Sequence, residues 1–106
     1  MSSIQTFKYK RKKLTVIFWN VNVWFDLKEI AAILGYKKSL LDLFFLAEEK
    51  ERFSNLSVRL ISIDGLYRYT YYKVLKPKQR EKAQELYNYV EKEVMPVFNE
   101  YIKSWI

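Results

Sequence analysis

The segment Trp24-Phe25-Asp26-Leu27-Lys28-Glu29-Ile30-Ala31-Ala32-Ile33-Leu34-Gly35-Tyr36 constrains this chain more than any other stretch. It reads as a strand end, a short capped helix and a glycine stop. The Asp26 carboxylate can accept from the free amides of the first helical turn. Glu29, three residues on, is placed to reach back to the Asp26 amide as in a capping box. Leu27, Ile30, Ala31 and Leu34 recur at helical spacing and make one apolar stripe. Gly35 can take the left-handed conformation that ends a helix. Tyr36-Lys37-Lys38-Ser39 then forms a short basic turn, and Ser39 caps a second apolar helix, Leu40-Leu41-Asp42-Leu43-Phe44-Phe45-Leu46. Two short helices joined by a glycine-containing turn have the outline of a helix-turn-helix. The second helix offers Asp42, Glu48 and Glu49 to solvent, where a groove-reading helix would carry Arg, Lys, Asn or Gln. Packing of the two helices is therefore favoured over direct reading of bases.

The chain has 106 residues, 50% of them apolar and 18% aromatic, enough for one core. One domain over 1–106, with no second domain, is expected. With only two Gly and two Pro, no repeat and no low-complexity segment, the chain is not of the disordered kind. Cysteine is absent, so there is no disulfide framework, which suits a reducing compartment. No apolar run is long enough to span a bilayer, so no membrane partner is expected. Met1-Ser2-Ser3-Ile4 lacks the form of a signal peptide, and a cytoplasmic location is the simplest reading.

The net charge of +7 is unevenly spread. Residues 1–38 carry eight Lys/Arg against two acids, residues 39–64 three against five, and residues 65–106 eight against five. Leu66–Lys82 alone holds six basic residues and one acid. Such clusters attract polyanions over long range and release counterions on binding.

Along the chain, Phe7–Tyr9 and Leu14–Trp19 are rich in aromatic and β-branched residues and read as strands. Lys10-Arg11-Lys12-Lys13 between them reads as a hairpin turn that sets four cations at one sheet end. Asn20-Val21-Asn22 reads as the next tight turn, since Asn tolerates positive φ, and Val23–Phe25 as a third strand. Glu48-Glu49-Lys50-Glu51-Arg52 reads as a solvated helix end or loop. Arg59–Ile63 alternates as a strand and ends at Asp64-Gly65, a turn signal. Leu66–Tyr72 fits a strand or a short helix. Pro77, within Lys76-Pro77-Lys78, suits a first helical turn. Ala83, Leu86, Tyr87, Val90 and Val94 follow at helical spacing. Pro96 should kink or end that helix, after which Val97, Phe98, Tyr101, Ile102 and Trp105 form a terminal apolar stripe. It packs on the core or binds another chain. The fold class expected is α+β: a small antiparallel sheet with a short helix pair and a longer C-terminal helix.

Much chemistry is excluded. Without His or Cys there are no Ser-His or Cys-His nucleophilic pairs and no zinc sites built on those ligands. Gly35 and Gly65, the only glycines, are thirty residues apart, so no phosphate-binding glycine loop exists. A carboxylate-only magnesium site from Asp26 with Glu29, or from Glu48, Glu49 and Glu51, is conceivable. A helix cap and a charged face explain these residues better. No catalytic residue, metal or cofactor is expected, and the chain does not read as an enzyme.

Three blocks taken together resemble the Bro-N domain, the N-terminal domain of baculovirus repeated-ORF proteins and of many phage antirepressors. They are Trp24-Phe25-Asp26 through Leu34-Gly35-Tyr36, Ile63-Asp64-Gly65-Leu66-Tyr67-Arg68, and Tyr89-Val90-Glu91-Lys92-Glu93-Val94-Met95-Pro96. They stand in family order and cover the chain from Phe7 to about Tyr101. Tyr89 stands where the family usually has Trp, Glu29 where it has Asp, and Asp64 near its usual Glu or Ser. No second domain is expected to follow, which would set the chain apart from full antirepressors. The blocks read as fold signatures: Gly65 for a turn, Leu66 and Tyr67 for the core, Pro96 for a helix end. The resemblance implies an α+β domain from a virus or mobile element, acting inside the host cell. It also implies nucleic-acid binding, transcriptional interference or capture of a host protein.

The leading expectation is a viral or prophage-derived DNA-binding domain that contacts phosphates more than bases, on double- or single-stranded DNA. Its candidate residues are Lys37, Lys38, Arg68, Lys73, Lys76, Lys78, Arg80 and Lys82, with Lys10, Arg11, Lys12 and Lys13 as a second cluster. Tyr69, Tyr71 and Tyr72 could stack on unpaired bases, although buried strand tyrosines are the favoured reading. The alternative is a protein-binding inhibitor of a host or viral protein, using Tyr101 and Trp105. It would act as an antirepressor or an anti-host-defence protein, with an anti-CRISPR role as a special case. Self-association is left open.

Overall fold

The computed structural model describes residues 2–19, 21–35, 51–52, 59–72 and 75–104. Strands β1 (Ser2–Tyr9) and β2 (Lys12–Trp19) pair antiparallel from Tyr9↔Lys12 to Ser2↔Trp19. The turn between them is Lys10 and Arg11 alone, with φ of 47° and 68°. Positive φ at both central residues matches the twist of the flanking strands, which is why so short a loop closes. Lys12 and Lys13, expected in the turn, are therefore strand residues whose side chains alternate to opposite faces. β3 (Asn22–Asp26) returns along β2 with Trp19↔Asn22 flanking the second turn. Val21 in that turn has φ 55°, uncommon for a β-branched residue; Asn20 lies outside the described residues.

Helix α1 (Leu27–Leu34) begins and ends where its sequence signals stand. Asp26 Oδ1 accepts from the Lys28 amide at 2.9 Å, and Gly35 stops the helix at φ 84°. Leu27, Ile30, Ala31 and Leu34 are buried. Glu29 does not close a capping box. Its Oε1 accepts from the Thr15 amide at 2.6 Å and its Oε2 from the Thr15 hydroxyl at 2.9 Å. β3 stops at Asp26, and the carboxylate takes the amide that a longer strand would have satisfied.

The sheet is completed by β4 (Glu51–Arg52) and β5 (Arg59–Ser62), in the order β1-β2-β3-β5-β4. Glu51-Arg52, expected in a helix end or loop, is a short edge strand, because pairing with β5 satisfies its backbone groups. The expected second helix at 40–46 and the stretch 48–50 lie outside the described residues. Asp64-Gly65 is not a turn: both lie in helix α2 (Ile63–Tyr69), whose cap is Ser62, with Oγ 3.2 Å from the Gly65 amide. Gly65 answers a demand for space, since a Cβ there would stand 2.7 Å from Ile61 Cγ1. Leu66 is buried as expected, but Tyr67 is 48% exposed. Tyr69 is buried on a helix rather than a strand, while Tyr71 and Tyr72 are exposed in the turn that follows.

Helix α3 (Pro77–Tyr89) opens with its proline in the first turn. Pro96 does not end the helical segment. Val90–Val94 widens into a π-helical turn and α4 (Met95–Lys103) carries on. A proline ring crowds the carbonyl four residues back and lacks the amide to bond it, and a wider turn just before it absorbs both defects.

One face of the sheet carries the main core. Leu14, Val16 and Phe18 of β2, Val23 and Phe25 of β3 and Ile61 of β5 meet Leu34, Leu66, Tyr69, Ala83, Leu86, Val90 and Val94. Each fully buried large aliphatic or Phe side chain here contributes about 1.5–3 kcal/mol. Phe98 and Tyr101 of α4 extend this layer, each ring 5.2 Å from that of Phe18. The opposite face holds a smaller cluster of Ile17, Trp24 and Leu60, with Trp19 against it. The protein is thus an α+β domain: an antiparallel sheet, the short helix α1 and a longer C-terminal helical segment. No helix of the described residues is long and apolar enough to cross a membrane.

Candidate nucleic-acid interface

Strand alternation sends Lys12 to the helical side of the sheet, beside the end of α1. Its Nζ donates to the Ala32 carbonyl at 3.4 Å. Helix α3 passes the same place. Lys82 Nζ lies 3.4 Å from the point where a Cβ on Gly35 would stand. The last turn of α1 has no basic residue of its own. Two lysines from other elements therefore stand at its carbonyl end, where the helix dipole favours cations.

Tyr9, Lys10, Lys12, Ile33, Lys82 and Glu85 line a cleft of about 120 Å³ at this junction. Glu85 is its one carboxylate, and it binds Lys10 through an ion pair that holds the Lys10 ammonium above the ordinary lysine pKa. Lys10 also lies 5.5 Å from the centre of the Tyr9 ring. Both partners of the ion pair are exposed, so solvent screens it and it adds little to stability. Arg11 at the hairpin tip is exposed, and Lys78, one turn before Lys82, is exposed on the same side of α3.

The structure thus unites parts of two stretches that the sequence keeps apart, Lys10–Lys12 and Lys78–Lys82. It separates others from them. Lys13 faces the opposite side of the sheet, directly across from Lys8. Arg80 turns toward α2, where its guanidinium donates to the Tyr72 carbonyl at 3.5 Å. Arg68 lies on α2 itself and Lys76 precedes α3. Lys37, Lys38, Lys73 and Trp105 lie outside the described residues, and Tyr101 is half-buried against Phe18.

Tyr9 and Glu85 were not singled out from the sequence. A helix-face reading of Lys78, Lys82, Glu85 and Tyr89 would have found the carboxylate, because the four fall on one side of a 3.6-residue period. The other side of α3 has a different character. Tyr87 packs 5.0 Å from Tyr67, and Tyr67 packs 5.5 Å from the exposed Tyr71. A hydrogen bond to Glu91, with burial and the nearby Tyr67 and Asp64, pushes the Tyr87 hydroxyl up to about 12.

Among the described residues no group of acidic side chains is arranged to hold a metal ion. Asp26 and Glu29 are engaged by backbone amides, as above. No family model, no curated protein and no solved structure matches the chain.

Proposed function

We propose that this protein binds nucleic acid through phosphate contacts made around the cleft between the first hairpin, the end of α1 and α3. The observation that carries this reading is the convergence of Lys10, Lys12 and Lys82 on one cleft that holds a single carboxylate. Arg11 and Lys78 extend the cationic rim. Flexible ammonium groups on a concave surface suit a charged backbone better than base edges, so binding is largely independent of sequence. The resemblance of three sequence blocks to the Bro-N domain supports the same reading, with interference with transcription as the role it would serve.

Fluorescence anisotropy with random-sequence duplex and single-stranded DNA, titrated at low and near-physiological salt, tests it. A linear fall of log affinity with log salt is expected, its slope reporting the number of phosphates engaged. An absence of binding at low salt would refute the proposal. It would turn attention to protein capture, which the exposed tyrosines Tyr67, Tyr71 and Tyr72 favour as the second reading.

A further inference from the structure

Among the described residues β1 is the outer strand of the sheet, eight residues long, without proline and paired to β2 in unbroken register. The two-residue turn decides which way its backbone groups point. In such a hairpin the residues flanking the turn, Tyr9 and Lys12, exchange both hydrogen bonds, and the pattern then alternates. Tyr9, Phe7, Gln5 and Ser3 therefore point their amides and carbonyls at β2. Lys8, Thr6, Ile4 and Ser2 point theirs at the open edge. Two observations agree with this phase. Thr15, opposite Thr6, turns its amide away from β1 to Glu29. The Lys8 carbonyl faces outward and accepts from the Tyr89 hydroxyl at 3.0 Å.

Long edges of this kind are usually blunted by a bulge, a proline or several charges, because they template pairing with another strand. Here the open part, Ser2 to Thr6, carries no charge, and Ile4 within it is 52% exposed. We infer that the edge of β1 is a self-association site, where a second copy of the chain adds its own β1 antiparallel about a two-fold axis at Ile4. The register follows from the same residues. Only outward-pointing positions can face each other, which leaves even-numbered pairs. Centring on Ile4 joins Ser2 to Thr6 of the second copy and Ile4 to Ile4, with two hydrogen bonds per facing pair. A shift of the axis toward the turn would need Lys8, whose carbonyl Tyr89 has already taken. The chosen register also sets the exposed Ile4 side chains against each other. Ile4 pairs with Ile17, a member of the cluster with Trp24 and Leu60, so the two clusters become continuous across the seam. A single strand pair is a small interface, so the dimer should depend on concentration. This inference is independent of nucleic-acid binding.

Sedimentation velocity of the full chain over a wide concentration series, with amide exchange read by NMR at both ends of it, tests the seam. A concentration-dependent dimer is expected, with exchange slowed at Ile4 and Thr6 and unchanged at Lys8. Thr6→Pro removes one outward amide and leaves the bonds to β2 intact, a position where edge strands accept proline. It should weaken the dimer at least about tenfold, as should Ile4→Lys, which brings two like charges together at the axis. Ile4→Lys keeps the test decisive if the proline variant folds poorly. A chain that stays monomeric throughout, a dimer that survives both substitutions, or slowed exchange at Lys8 in place of Ile4 would each overturn the inference.

Discussion

On one side of α3, Lys78, Lys82, Glu85 and Tyr89 look onto the first hairpin and the end of α1; on the other, Arg80 and Tyr87 look onto α2 and the turn after it, with Glu91 of the following π-helical turn beside Tyr87. Each side mixes cations, a carboxylate and a tyrosine, yet the neighbours give them different roles. Toward the hairpin, the helix meets further lysines and the carbonyl end of α1, and Glu85 is left as the one acid in the cleft. Toward α2 it meets tyrosine rings and Asp64, so Arg80 turns to a carbonyl and Tyr87 holds its proton against two carboxylates. The net charge of a helix therefore says little about what it binds. What counts is which charges a second element leaves unneutralised in one place.

The largest expected effect tests whether the hairpin side alone carries nucleic acid. Lys12→Glu with Lys82→Glu should weaken DNA binding by about 100-fold at low salt and flatten the salt slope by about two. The circular dichroism spectrum should stay unchanged. An equal loss from Arg68→Glu with Arg80→Glu would erase the distinction between the sides.

Gly65→Ala probes the opposite side. The added methyl meets the buried Ile61 at 2.7 Å, while an alanine favours the helix. A net loss of about 1–2 kcal/mol is expected in urea unfolding. DNA affinity of the folded protein should be retained, because α2 does not line the cleft.

A smaller effect should come from Glu85→Gln, which releases Lys10 and removes the only acid of the cleft. Affinity should rise about threefold at low salt, and the gain should fade as salt screens it. A weakened complex would mean that Glu85 positions Lys10 instead of masking it.

The smallest concerns pH. The Tyr87 hydroxyl titrates at about 12 in the folded protein against an ordinary 10. Below pH 10 both the folded and unfolded forms keep the proton, and the contribution is intact. Between about 10 and 12 the unfolded chain loses its proton first, so stability falls as pH rises. Unfolding midpoints followed over this window should drop less for Tyr87→Phe than for the parent protein. Identical slopes would show that Glu91 does not hold that proton.

The features legible in the sequence act over a single turn of chain. Asp26 caps α1 because its own carboxylate reaches an amide two residues on, Gly35 ends it because only its own φ matters, and Pro77 opens α3 because the first turn spends no amide there. The apolar spacing of Leu27, Ile30, Ala31 and Leu34, and of Ala83, Leu86, Tyr87, Val90 and Val94, is equally local, and all of these residues are buried except Tyr87, which is half-buried and packs on Tyr67. Misreadings arose where a distant group competed with a near one. Glu29 had a local partner within reach but bonds Thr15, fourteen residues away, because β3 ends before that amide is paired. Gly65 has the look of a turn glycine, yet its reason is the Ile61 side chain beneath it.

By itself, then, the sequence determined the turn-side end of β1 at Phe7–Tyr9, β2 from Leu14 onward, both ends of α1, the start of α3 and the exclusion of His- and Cys-based chemistry, whereas the Ser2–Thr6 part of β1 carries no strand signal of its own. Helix-end capping and side-chain period are properties of neighbouring residues. Tertiary structure alone decided the cleft. Lys10 meets Glu85 across seventy-five residues, and Lys12 and Lys82 converge on a helix end that belongs to neither. No local rule encodes such encounters, because they depend on how the sheet and helices pack around a shared core.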